Sequence, residues 1–183
     1  MATTLIVPGL RNSGPTHWQS WLQGQLPDSH RVEQADWETT CFSDWAARVR
    51  EEIDAIEEPV WIVAHSFGCL ASVTAGFVRP GQILGALLVA PADPQRFGEP
   101  TALLEEKLQF PSLVVSSSND PWVKASAAEY WAGQWGSDYL NIGEAGHINV
   151  DSGHGPWPEG LILFEQLRAG ASISDLLRKN DRP

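Results

Sequence analysis

The chain has 183 residues, about 43% of them apolar, with 23 acidic side chains against 12 basic ones and a formal charge of −11. That length and apolar content suit one domain around a single core, and the charge argues against a general attraction to nucleic acid or to an anionic membrane surface. Neither the two cysteines, Cys41 and Cys69, nor the five scattered histidines have metal-ligand spacing, so no metal and no cofactor is expected. With no leader recognisable before them, cytoplasmic residence with both thiols reduced is the simplest reading.

Thr3 to Val7 is short, apolar and β-branched, and Pro8-Gly9 ends it, which predicts a first buried parallel strand and not a membrane segment, for which ~20 apolar residues are needed. The loop Leu10 to Pro15 follows. Thr16 is the predicted cap of a helix through about Leu26, with Trp18, Trp21, Leu22 and Leu26 on one face. Arg31 to Ala35 reads as a weaker edge strand. Ser43 is the predicted cap of a second helix reaching about Glu57, striped by Trp45, Val49, Ile53 and Ile56. Val60 to His65 is a central strand, and a helix over Cys69 to Val78 buries Cys69, Leu70, Val73 and Phe77. Ile83 to Ala90 is almost wholly apolar, as strands covered on both faces are. Between Pro91 and Pro111 a loop with a short helix around Thr101 to Leu108 is expected. Then come a strand at Ser112 to Ser117, a helix at Lys124 to Trp135, a strand at Asp138 to Ile142, and closing helices at Trp157 to Ala169 and Ile173 to Leu177, with a flexible C-terminal end. This alternation predicts a parallel sheet of about six strands with helices on both faces. Several of the nine tryptophans are expected to line a pocket.

Chemistry concentrates at Ala64-His65-Ser66-Phe67-Gly68, between a strand and a helix. A serine at such a turn is held strained with its hydroxyl exposed at the sheet's C-terminal edge, the geometry of a nucleophile elbow. A hydroxyl needs a base to become a nucleophile, and the base needs a third group to orient it. His147, in a loop flanked by Gly143 and Gly146, suits the base. Asp120, past a strand end and followed by Pro121, suits the orienting carboxylate, with Asp93 or Asp151 as substitutes. Ser66, Asp120 and His147 occur in the order nucleophile, acid, histidine. An oxyanion needs backbone donors, one from Phe67 and another from Leu10, or from Arg11 if the turn is shifted by one. His65 is read as packing behind the serine, His17 as a surface or packing residue and His154 as a solvent-exposed loop histidine. Cys69 faces the core. Trp122 and Trp157 are pocket-wall candidates, with core packing the alternative reading for each.

The strings VPGLRNSGPTHWQSWL, VAHSFGC, SSNDPW and GHINVDSGHGPWPEG together resemble the small serine hydrolases of the retinoblastoma-binding-protein and YdeN kinds, over nearly the whole chain. The resemblance implies one α/β-hydrolase domain over 1–183 without a large lid, a triad at Ser66, Asp120 and His147, and cofactor-free cleavage of ester or amide bonds. Ala64 stands where the elbow pattern usually has glycine. The expected substrate is a small ester, with aminopeptidase-like amide cleavage the nearest variant. A hydrolase scaffold whose main role is to bind a protein partner is the rival reading, although nothing in the residues indicates a partner. Haloalkane or C–C bond chemistry on the same fold fits less well; a dehalogenase usually uses an acidic nucleophile, and position 66 is serine.

Overall fold

A computed structural model describes residues 2–98 and 104–170. Six strands, β1 (Thr4–Val7), β2 (Ser29–Arg31), β3 (Val60–His65), β4 (Ile83–Val89), β5 (Ser112–Ser116) and β6 (Asp138–Asn141), form one sheet in the order β2-β1-β3-β4-β5-β6, with every pair parallel. Five helices connect and close it: α1 (Trp18–Gln25), α2 (Phe42–Asp54), α3 (Phe67–Val78), α4 (Ala125–Trp135) and α5 (Pro158–Arg168).

The strands' apolar character is explained by burial on both sides. Leu5, Val7, Ile62, Ala64, Leu88 and Val114 point to one face, where α2, α3 and α4 pack with Trp45, Val49, Leu70, Val73 and Trp131. Ile6, Val63, Leu87, Val89 and Val115 point to the other, under Trp18 and Leu22 of α1 and Phe164 of α5. The period-2 alternation of strand side chains therefore supplies two cores from one run of apolar residues. β1 connects outward to β2 on one side of the sheet, while β3 lies on its other side, so the strand order reverses between β1 and β3. Open α/β sheets bind ligands outside the strand ends at such a switch point.

Several local expectations are corrected. His17, and not Thr16, caps α1: its Nδ1 accepts the Gln19 N–H at 3.1 Å. Cys41 stands at the N-cap of α2 with no side-chain cap bond, and Ser43 lies within the helix, which ends at Asp54. The edge strand lies at Ser29–Arg31, where the backbone pairs with Thr4 to Ile6 of β1, and the Arg31 side chain donates to Asn12 Oδ1 (3.0 Å), Ser13 O (2.6 Å) and Ser20 Oγ (2.8 Å). Phe77 is half-buried. Five tryptophans, at 18, 45, 131, 135 and 157, are buried in the core. Part of the expected helix at Thr101 to Leu108 falls outside the described residues, and 105–108 is irregular. Ile173 to Leu177 and the C-terminal end also lie outside them. Among the described residues no helix is long and apolar enough to cross a membrane.

Candidate active site

β3 runs straight into α3, and the turn between them is one residue long. Ser66 there has φ 53° and ψ −123°, a conformation outside the regions open to residues with a Cβ. Holding it costs about 1–3 kcal/mol, which the surroundings must supply. They do so from three directions: Ser66 N–H donates to Val89 O (3.0 Å), Ser66 O accepts from Ala92 N–H (3.1 Å) and from Cys69 N–H (3.0 Å). Closeness of the β1 loop completes the support. A Cβ at Gly68 would lie 2.4 Å from Pro8 O and 2.6 Å from Val7 O, and one at Gly9 would lie 2.8 Å from Ser66 Cβ. Both positions require glycine for close approach. Ala64, by contrast, is accommodated fully buried within β3.

The carboxylate arrives from the end of β5. Ser117 and Asn119 fasten this loop to the one after β6: Ala145 N–H donates to Ser117 Oγ (2.9 Å), Gly146 N–H to Asn119 Oδ1 (2.7 Å), and Ser118 N–H to Gly143 O (2.8 Å). Asp120 and His147 are thereby brought side by side. Asp120 Oδ1 accepts from the N–H groups of Trp122 (2.8 Å) and Val123 (3.3 Å), which leaves Oδ2 to accept from His147 Nδ1–H at 2.8 Å. A carboxylate accepts only, so the imidazole proton sits on Nδ1 and Nε2 is bare. Ser66 Oγ–H donates to that Nε2 at 2.9 Å. The Asp120 carboxyl is 3% exposed and the imidazole 11%, so the chain of hydrogen bonds is largely shielded from water and opens to solvent at the serine.

Behind His147 lie two further histidines, His65, read from the sequence as packing, and His17, read as a surface or packing residue and found buried. His65 is buried, its ring 5.0 Å from that of His147, with Nε2 3.0 Å from His147 O. Burial, with the neighbouring imidazoles, holds its pKa well below the usual histidine value. His17, buried against His65 at 5.0 Å, is pushed down to about 4 by burial and by Arg31. His154 is half-buried against Trp157 and not free in solvent. Burial raises the Cys69 thiol well above its ordinary value, so it is unreactive beside the serine.

The two tryptophans part company. Trp157 is core: it packs edge-on against Trp18 at 5.2 Å and is 6% exposed, because α5 must cover this face of the sheet. Trp122 is 58% exposed, beneath the Arg96 guanidinium at 5.4 Å from its ring. Asp93 caps the single-turn helix Pro94–Phe97, and Asp151 lies in another such turn, Val150–Ser152; neither carboxylate is hydrogen-bonded to His147. Among the described residues no group of three or more His, Cys, Asp or Glu is arranged to hold a metal ion.

Sequence reasoning misses Ser117 and Asn119. The available signal is the polar run Ser116 to Asp120 at a strand end, where side chains that can replace backbone partners accumulate.

Comparisons with known proteins agree with this architecture. A protein from Pectobacterium atrosepticum described as a YdeN-like hydrolase is 37% identical, with 94% of each chain covered and a TM-score of 0.86. The ydeN gene product of B. subtilis is 20% identical, over 92% of this chain and 100% of that one, at 0.76. Est1E from Butyrivibrio proteoclasticus, at 14% identity over 92% and 87% of the two chains and a TM-score of 0.71, shares the fold. No curated protein matches. A family model for serine hydrolases matches residues 4–166, and the chain belongs to that family.

Proposed function

We propose that the protein cleaves small carboxylic esters through an acyl-enzyme on Ser66. The observation that carries this reading is the single imidazole bridging Ser66 Oγ at 2.9 Å and Asp120 Oδ2 at 2.8 Å. In the first half-reaction the hydroxyl proton passes to His147 Nε2 as Ser66 Oγ attacks the ester carbonyl, and Asp120 stabilises the imidazolium without taking the proton. The imidazolium then protonates the leaving alkoxide. In the second half a water gives its proton to Nε2 as it attacks the acyl carbon, and the imidazolium returns that proton to Ser66 Oγ as the acyl bond breaks and the acid leaves, restoring Ser66 and the neutral base.

The tetrahedral oxygen needs donors that are already aimed. Phe67 N–H, in the first turn of α3, has no partner within the helix and adds the helix's positive end. For the second donor Leu10 is favoured over Arg11, because Arg11 N–H is taken by Trp37 O at 2.9 Å while no partner of Leu10 N–H is found among the described residues. Trp122, two residues from Asp120 and exposed, is the aromatic side chain assigned to meet substrate at the rim. Amide cleavage would use the same groups, with the imidazolium protonating an amine. The free Cys41 and Cys69 are consistent with a cytoplasmic setting.

The test is a panel of p-nitrophenyl esters of graded acyl length beside aminoacyl amides, run on the native protein and on Ser66→Ala. Turnover of short esters that is lost in Ser66→Ala is the expected result. Equal turnover by the two proteins would overturn the reading.

A further inference from the structure

The loop that presents His147 is held by two buried ring N–H groups acting on consecutive carbonyls. His65 Nε2 lies 3.0 Å from His147 O, and Trp18 Nε1–H donates to Ile148 O at 2.8 Å. The two rings cross edge-on at 5.9 Å, 85° between planes, so each fixes the other. They hold an unfavourable turn: Ile148, fully buried, has φ 49°, a left-handed conformation that a β-branched residue strongly resists. A carbonyl only accepts, so the contact to His147 requires the His65 proton on Nε2. His65 is also the residue bonded to Ser66. One side chain therefore ties the backbone of the nucleophile directly to the backbone of the base.

We infer that His65 is a positioning residue, whose Nε2–H donates to the His147 carbonyl and sets the distance between the His147 ring and the Ser66 hydroxyl. This rests on the proposed ester chemistry at Ser66. Without the clamp His147 still meets Asp120, but its ring is free to drift from Ser66 Oγ. Displacements of about 1 Å in a reacting geometry cost on the order of 100-fold in rate. Substrate binding does not involve the buried His65, so the loss falls on kcat and not on KM.

Side-chain reach supplies the discriminating variants. Glutamine places an amide N–H near the position of imidazole Nε2, asparagine falls short of it, and leucine fills space without a donor. With p-nitrophenyl acetate, His65→Leu should lower kcat by ~10- to 100-fold with KM within about twofold, and His65→Gln should recover most of that loss. The fluorophosphonate labelling rate of Ser66 should fall and recover in parallel. If His65→Leu does not fold, His65→Asn takes its place as the donor-short variant. A folded Leu or Asn variant with native kcat, or a folded Gln variant as slow as the donorless one, would overturn the inference. Native protein and Ser66→Ala run alongside separate the two claims: no turnover difference between these two defeats the ester reading itself, whereas native turnover with indifferent His65 variants defeats only the clamp.

Discussion

Replacing Asp120 with asparagine changes one atom, and the hydrogen bonds around it dictate the consequence. The Asp120 oxygen that accepts from Trp122 N–H (2.8 Å) and Val123 N–H (3.3 Å) must remain an oxygen, since an NH2 group there would face two donors. Asparagine is therefore forced to turn its NH2 group toward His147 Nδ1. That nitrogen must then accept, so the imidazole proton moves to Nε2, where it faces Ser66 Oγ at 2.9 Å and can no longer take the hydroxyl proton. On the proposed chemistry, loss of the base in its working tautomer should lower kcat by up to ~10⁴-fold, about 5 kcal/mol of transition-state stabilisation. The fold keeps its loop hydrogen bonds and should melt near the native temperature. Steady-state hydrolysis of p-nitrophenyl acetate, read beside a thermal melt, measures both quantities. Asp120→Asn turnover within tenfold of native, in protein with an unchanged melt, would refute the reasoning and move the orienting group elsewhere.

Further expectations concern the surroundings of the site. Gly68→Ala places a methyl against the backbone of Val7 and Pro8, 2.6 Å from Val7 O and closer still to Pro8 O, and should destabilise by about 1–3 kcal/mol or more in a urea titration; an unchanged midpoint would mean that the β1 loop does not press on the elbow. Trp157→Ala should cost about 3–5 kcal/mol as a core truncation, whereas Trp122→Ala should stay within about 1 kcal/mol; equal melts for the two variants would contradict their assigned surroundings. His17 binds its proton less readily when folded, its pKa lowered from 6.5 to about 4, so the unfolded chain holds more protons between those values. Stability is therefore full above about pH 6.5 and falls as the pH drops toward 4, by about 3 kcal/mol from this group, with buried His65 acting in the same direction. His17→Asn, which can still cap α1, should flatten the fall in urea midpoint between pH 7 and pH 4.5, and an equally steep fall would assign it to other groups.

The parts legible in the sequence were those written in side-chain pattern. β3 spans Val60–His65 as expected, because a continuous apolar run before a helix-like run leaves few alternatives, and the parallel α/β sheet follows from the same alternation. Ser66, Asp120 and His147, which the fold joins in one chain of hydrogen bonds, stand out in the sequence because each closes a strand or follows a glycine-rich loop. Other features are decided by contacts that carry no local signature. β2 lies where its backbone finds register with Thr4 to Ile6 of β1, and the α1 cap goes to a histidine whose ring happens to face Gln19 N–H. Trp157 could not be told from a pocket residue, since tryptophan serves both settings and only the packing of α5 on Trp18 decides. The bond from His65 to the His147 carbonyl has no signal either, because its acceptor is backbone and any residue supplies one.

Mapping a fluorophosphonate adduct by peptide mass spectrometry tests the account most directly. The hydroxyl of residue 66 should carry the single adduct, in the peptide containing Ala64-His65-Ser66, and modification should extinguish ester turnover in proportion to its extent. An adduct confined to another residue, or undiminished turnover in fully modified protein, would contradict it.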